Sequence, residues 1–426
     1  MTAELTGRVA AAEAQPSGMF ASLSNRSFAK LWAAGWMWNL TRWLGVFTGA
    51  YLVDQKTESP LLAQLVGVLY WSPMFIGGIV AGGISDRFDR RRTILRQLTA
   101  VIPVAFAMTA VVAAGRLEVW MVYVYAVCIG IGSVVDLTNR RALVYDVADR
   151  HLITNAMALE AFSMSAGTAI GTFCGGAVID LVGPWFVYFL IGVCYVTGLV
   201  LMTRVPAPPP KPAAPAAPTP GDAPRKGLRV FVAELAEGLR ALPANKTLVS
   251  LLGVTFLVNL LYFPFMTLVP TFGRLMGVSG TATGLLSASG NVGAAFGALV
   301  LAKVQPTRRG AMYVGGSMFA LVLLVAFANA GSYRLALAAL MCCGLGTACF
   351  GSFQAALCMS VTDEHLRGRA MGLLTMAIGA LPFGNFMMGS VAEWLSPSAA
   401  VTASATTGVV LLALWLWRRP EIVRAP

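Results

Sequence analysis

Charge is scarce in this chain: Asp, Glu, Lys and Arg make up 12% of its 426 residues, against 57% hydrophobic ones. A soluble globular protein carries about 25% charged residues. So small a share cannot clothe a water-soluble body of this size. Histidine is nearly missing too, with His151 and His365 the only two copies. The sequence has no H-E-x-x-H pair, no serine–histidine pair in an apolar stretch and no G-x-x-x-x-G-K-[ST] loop. Zinc-hydrolase, serine-hydrolase and ATP-driven chemistries lose their usual signatures, so no enzyme activity and no cofactor are expected. The seven cysteines lack metal-ligand spacing, and Cys342 and Cys343 are adjacent. They read as small buried residues, and no metal is expected. Residues 1–30 hold Glu4, Arg8, Glu13 and Arg26 and no apolar core ahead of Phe28, so they do not form a cleavable signal.

What the chain does have is long apolar runs. A membrane-crossing helix needs about 20 mostly apolar residues. Twelve stretches meet or approach that length, from Leu31–Val53, interrupted by Arg42, to Trp394–Trp417. Runs of this length exclude a transmembrane barrel, whose strands are about 10 residues long and alternate. The partner is therefore a lipid bilayer. The net charge of +12 belongs to topology rather than to nucleic acid. With the N-terminus in the cytoplasm, the inside loops collect Arg87, Arg90, Arg91, Arg92, Arg140, Arg141, Arg308, Arg309, Arg367 and Arg369, while the outside loops keep Lys56, Arg116, Arg274 and Arg334. This bias predicts both termini inside.

Nine of the 19 residues in Pro206–Pro224 are proline, which marks an extended, solvated linker. Lys226–Leu242 behind it has the spacing of an amphipathic helix on the membrane surface. The expected organisation is a tail over 1–30, a six-helix bundle over 31–203, linker and surface helix over 204–246, a second six-helix bundle over 247–417, and a tail over 418–426. The halves repeat: Ala142–Leu159 and Ala356–Leu373 are identical at 9 of 18 positions, at an offset of 214. Six-helix half-repeats of this kind are a pattern of secondary transporters.

The loop after the second span reads GGISDRFDRRR. With Gly82, Asp86, Arg87, Arg90 and Arg91 it resembles the G-x-L-a-D-R-x-G-R-[KR] signature of the major facilitator superfamily, departing where Asp89 replaces glycine. The resemblance implies an all-α fold of twelve transmembrane helices in two pseudo-symmetric bundles, with Asp86 and Arg87 latching one conformation. The counterpart Lys303–Gly310 has lost the acid, so the latch is lopsided. Span five carries Gly167, Gly171, Gly175 and Gly176, similar to that family's antiporter signature G-x-x-x-G-P-x-x-G-G with Thr172 in place of proline. Such glycines also serve plain close packing of helices. Ser22–Trp32, Asn259–Pro270 and Gly284–Val300 resemble the branch that includes enterobactin exporters and drug-efflux proteins. That branch implies a bacterial inner membrane, proton-driven export of a small molecule, and a monomer. Proton-linked uptake and a non-transporting sensor stand as alternatives.

Ionisable groups at bilayer depth are costly and need partners or water. Arg42 lies mid-way along span one, Asp136 toward the end of span four and Glu160 at the start of span five. In that superfamily spans one, four, seven and ten line the central cavity, so Arg42 and Asp136 are placed to pair and respond to substrate or proton. The other reading pairs Asp136 with Arg140, four residues on. Glu160 is a proton site or a helix-dipole partner. Asn39, Asn259 and Tyr262 are the remaining candidates for the substrate or proton site, and Arg42 in a cavity favours anionic, catecholate-like groups. Pro264 and Pro270 supply a bend in span seven. Trp36, Trp38, Phe265 and Met266 form an adaptable apolar wall or ordinary packing.

Overall fold

The computed structural model describes residues 18, 20–84, 89–206, 245–304, 306–363 and 366–425. Asp86 and Arg87, nearly all of the proline linker, the 226–242 surface helix and His365 lie outside the described residues.

Among the described residues fourteen α-helices make twelve spans. The first half holds α1 (Arg26–Thr57), α2 (Pro60–Ile84), α3 (Arg90–Ala113), α4 (Val119–Val147), α5 (Ile153–Leu181) and α6 (Pro184–Thr203). The second holds α7 (Lys246–Leu261), α8 (Val269–Leu275), α9 (Gly280–Val304), α10 (Arg309–Ala328), α11 (Tyr333–Ser360), α12 (Arg367–Ile378), α13 (Leu381–Trp394) and α14 (Pro397–Arg418). Among the described residues ten spans are long and apolar enough to cross a membrane. The other two are α1, which dilutes its apolar run with Asn39, Thr41 and Arg42, and α2, with a shorter apolar stretch over Pro60–Phe75.

Two spans are broken, both in the second half. Span seven is α7, a 3-10 turn over Phe263–Thr267 holding Pro264, and α8 with Pro270 in its first turn. Proline removes an N–H and frees a carbonyl. In this break the Pro264 carbonyl accepts from Gln64 Nε2 of the other half at 2.9 Å. Span eleven breaks between α12 and α13 at Gly379 and Ala380, ahead of Pro382.

Buried apolar side chains fall into two clusters, one running from Phe28 to Val205 and one from Leu248 to Ala425. Each half thus packs its own core. The repeat has a structural counterpart. Asn25 caps α1 by accepting from the Ser27 and Phe28 amides, and it donates to the Val147 carbonyl at 3.1 Å. Asn245 caps α7 by accepting from Leu248, and it donates to the Val361 carbonyl. Val147 and Val361 are the repeat-related pair 214 residues apart. In both halves one asparagine ties the start of the first span to the end of the fourth.

Candidate transport site and interdomain seal

Sequence spacing truncates span four at Val135, but the helix continues to Val147, which carries Asp136 and Arg140 inside the protein. Their side chains are 7% and 2% exposed. Arg140 Nε lies 3.0 Å from Asp136 Oδ2, and Nη2 contacts Oδ1, a bidentate fork. Nη1 donates to the Leu31 carbonyl of α1 at 3.1 Å. Gly35 makes this possible, since a side-chain carbon there meets Arg140 Nη1 at 3.0 Å. Glu160 of α5 approaches Arg140 at 3.9 Å, with Oε2 buried and unpartnered. α5 begins at Ile153, so Glu160 stands in its third turn, beyond the reach of the helix-end dipole. Asp136, Arg140 and Glu160 form a buried cluster that staples α1, α4 and α5.

Arg42 does not pair with Asp136. The i,i+4 partner Arg140 takes that carboxylate because it needs no second helix to find it. Arg42 is 8% exposed, its guanidinium carbon sits 5.4 Å from the Trp43 ring centre, and its Nε lacks a partner. Asn39 donates to Ser163 Oγ at 3.2 Å, joining α1 to α5.

Between the halves lies a cavity of about 290 Å³, walled by Trp43, Trp71 and Thr168 from the first half and by Asn259, Phe263, Phe350 and Asn385, among others, from the second. A smaller adjoining space of about 80 Å³ includes Tyr262, Phe265 and Met266. Asn259 and Tyr262 therefore face the cavities, whereas Arg42, Asp136, Arg140 and Glu160 are absent from both walls. The anionic preference drawn from Arg42 loses its footing. Trp36 and Trp38 also lie elsewhere, Trp38 being 1% exposed against Tyr195.

Beyond the cavity the halves close on one another at the end away from the termini. Asp54, fully buried, accepts from Thr271 Oγ1 at 2.6 Å and Arg274 Nε at 2.8 Å. Asp180, at the end of α5, accepts from the Gly280 amide at 2.9 Å and the Thr281 amide and hydroxyl at 2.6 Å, at the N-terminus of α9. Glu393, at the end of α13, accepts from Ser59 Oγ at 2.7 Å and the Leu61 amide at 3.2 Å, at the N-terminus of α2. Helix N-termini attract anions. Spans five and eleven, and two and eight, are repeat equivalents, so the seal has pseudo-twofold symmetry. Deeper in, Gln64 Oε1 takes the Thr267 hydroxyl, whose Oγ1 is also 3.2 Å from Asn385 Oδ1.

The span-five glycines divide their work. Gly167, Gly171 and Gly175 lie against Asn39, Leu40 and Phe47 of α1. Gly176 lies against Gly280 and Gly284 of α9, across the interface. In the loop signature, Arg90 pairs with Asp146 at 2.8 Å and Arg91 Nη2 donates to the Thr203 carbonyl at 2.7 Å. Asp89, where the family pattern has glycine, caps α3 by accepting from the Arg91 and Arg92 amides. Gly82 falls within α2. All seven cysteines are free, with Cys343, Cys349 and Cys358 buried.

Two pseudo-symmetric six-helix bundles enclosing a shared cavity define a multi-pass membrane transporter. Residues 31–384 match the Major Facilitator Superfamily, and the chain belongs to that family. It is 24% identical to the enterobactin exporter EntS of Shigella flexneri over 369 residues, covering 84% of each chain. The same exporter of Escherichia coli O1:K1 is 24% identical over 373 residues, covering 84% of this chain and 85% of that one. Among solved structures, a peptide transporter POT in complex with sulfate superposes with a TM-score of 0.71 at 13% identity, covering 98% and 99% of the two chains. A D-xylose-proton symporter gives 0.68 at 15% identity, covering 95% and 99%.

Proposed function

We propose that this chain is a proton-coupled exporter of small molecules, working by alternating access in a bacterial inner membrane with both termini cytoplasmic. The observation that carries the reading is Glu160, a carboxylate at membrane depth with one oxygen on the Arg140 side and the other unpartnered. An ionisable group kept there at a cost marks a proton pathway. Protonation of Glu160 weakens its hold on Arg140 and leaves Asp136 as that arginine's sole acid. The cluster joins α1, α4 and α5, and α1 and α5 carry the contacts to the other half, so the proton reaches the interface through helix position. The likeness to enterobactin exporters supports export as the direction. On this orientation the sealed end faces outward.

The test is transport of enterobactin and of ethidium into inside-out vesicles with an acid interior. Accumulation that nigericin collapses is expected. Glu160→Gln should lower the pH-driven rate at least about tenfold while sparing exchange without a gradient, a loss of about 1.4 kcal/mol of coupling. Accumulation only in right-side-out vesicles with an acid exterior replaces export with uptake.

The seal gives a second expectation. Asp180→Asn removes an anion from a helix N-terminus, an interaction of about 0.3–1 kcal/mol. Outward opening should rise by about two- to fivefold. Labelling of Ser287→Cys, a cavity position, by an impermeant maleimide in a cysteine-free background reads this directly. Unchanged labelling removes Asp180 from the gate.

A further inference from the structure

The two adjoining cavities have no charged residue in their walls. Most of their hydroxyl donors are committed: Thr168 to the Met164 carbonyl at 2.8 Å, Thr172 to the Thr168 carbonyl at 3.0 Å, Thr347 to the Gly344 carbonyl at 3.0 Å and Thr267 to Gln64, while Ser287 Oγ is buried without a partner. The Asn259 amide is committed as well, to the Thr255 carbonyl at 2.9 Å. Three buried N–H donors in the walls are unpartnered: Gln354 Nε2 of α11 and the two that follow, which come from opposite halves. Trp43 Nε1 has no partner, and an indole nitrogen can only donate. Asn385 is 1% exposed; its Oδ1 faces Thr267 while its Nδ2 is unpartnered. Buried donors left unmade are costly, and native proteins leave few of them.

These donors come from opposite halves, Trp43 from α1 and Asn385 from α13. Around them stand flat aromatic faces: Trp43 and Trp71, with ring centres 6.3 Å apart, and Phe263 and Phe350, 5.6 Å apart. Arg42 adds to this from outside the wall. Its cation over the Trp43 ring draws electron density from the indole and strengthens the N–H as a donor. A cation in the wall itself would select anions. A cation one ring removed favours lone pairs without demanding a charge.

We propose that the central cavity takes an uncharged, planar aromatic molecule bearing a hydrogen-bond-accepting oxygen, clasped between Trp43 Nε1 and Asn385 Nδ2. This rests on the reading of the cavity as the substrate site, but not on the direction of transport or its coupling ion. A ligand clasped from both halves at once also reports on their separation, since opening pulls the two donors apart.

Four molecules of one shape test it: fluorenone, fluorene, fluorene-9-carboxylate and the ammonium form of 9-aminofluorene. Binding to the full chain in nanodiscs is measured by calorimetry, with empty nanodiscs as the lipid-partition control. Fluorenone should bind about tenfold tighter than fluorene, and both charged analogues more weakly than fluorenone. Trp43→Phe keeps the ring beneath Arg42 and removes the N–H. It should weaken fluorenone about fivefold, the effect of one hydrogen bond, and leave fluorene within about twofold. Asn385→Leu should do the same if it folds; if its melting temperature collapses, the Trp43→Phe comparison decides alone. The proposal is overturned if a charged analogue binds best, if fluorenone has no advantage over fluorene, if Trp43→Phe weakens all four alike, or if none of the four binds. Donor-dependent binding by a chain that moves no protons would sink the coupling proposal and leave this one standing. Proton-driven export with no donor dependence would do the reverse.

Discussion

Arg140→Leu should lower the thermal unfolding midpoint by about 10 °C and abolish transport. Arg140 is 2% exposed and makes a fork to Asp136, a bond to the Leu31 carbonyl and a 3.9 Å approach to Glu160. Its removal strands two carboxylates in a buried site. Breaking such a pair costs about 3–5 kcal/mol, and each kcal/mol moves the midpoint of a unit this size by about 2–4 °C. Arg140→Lys keeps the charge but loses the planar fork, so an intermediate midpoint is expected. The pair Asp136→Asn with Arg140→Gln leaves fewer unpaired charges and should recover part of the loss. Scanning fluorimetry of the detergent-solubilised protein reads all three. A midpoint for Arg140→Leu within about 1 °C of the parent would show that the cluster does not staple the bundle.

The second large effect is conformational. A side chain at Gly176 collides with the Gly280 carbonyl oxygen and comes within 3.0 Å of the Gly284 Cα, both backbone atoms that cannot rotate away. Gly176→Leu should therefore force α5 off α9. Since these helices belong to different halves, each half keeps its own core and only the seal is lost. Maleimide labelling of Ser287→Cys from the sealed side should rise at least about tenfold and transport should cease, while the helical circular dichroism stays at the parent level. Gly351→Ala is the matched control: nothing lies within 4 Å of its added carbon. Alanine is favoured over glycine in a helix by about 1 kcal/mol, so stability should hold or rise slightly. Equal labelling in both variants would refute the packing role of Gly176.

The fold was legible because lipid imposes coarse rules. Length of apolar runs, their count and the 214-residue repeat need no side-chain geometry. The same rules hid the seal. Ending a span at its first charge stops span one at Val53 and span five at Ile179, one residue short of Asp54 and Asp180. A carboxylate one residue beyond an apolar run looks like loop, and only the partner helix reveals what it grips. The cavity was hard to read for the opposite reason. A search for ionisable residues passes over Trp43, Gln64 and Asn385, whose roles depend on which donors are already spent. Asn259 and Tyr262 were found because prolines flagged their span. Arg42 was placed against Asp136 on span numbering, but a residue one helical turn away competes without any loss of chain entropy. Span eleven's break at Gly379 and Ala380 had no comparable warning beyond Pro382.

The carboxylate contacts at Asp180 and Glu393 have one further property. In each, part of what the acid grips is main chain: the amides of Gly280, Thr281 and Leu61. Main-chain amides are the same whatever residue other than proline bears them, so that side of the clasp survives most point substitutions. At these two contacts drift acts through the acids themselves and the two hydroxyls. Descendants of this chain can therefore remodel the cavity wall for new cargo while inheriting the closing mechanism nearly unaltered.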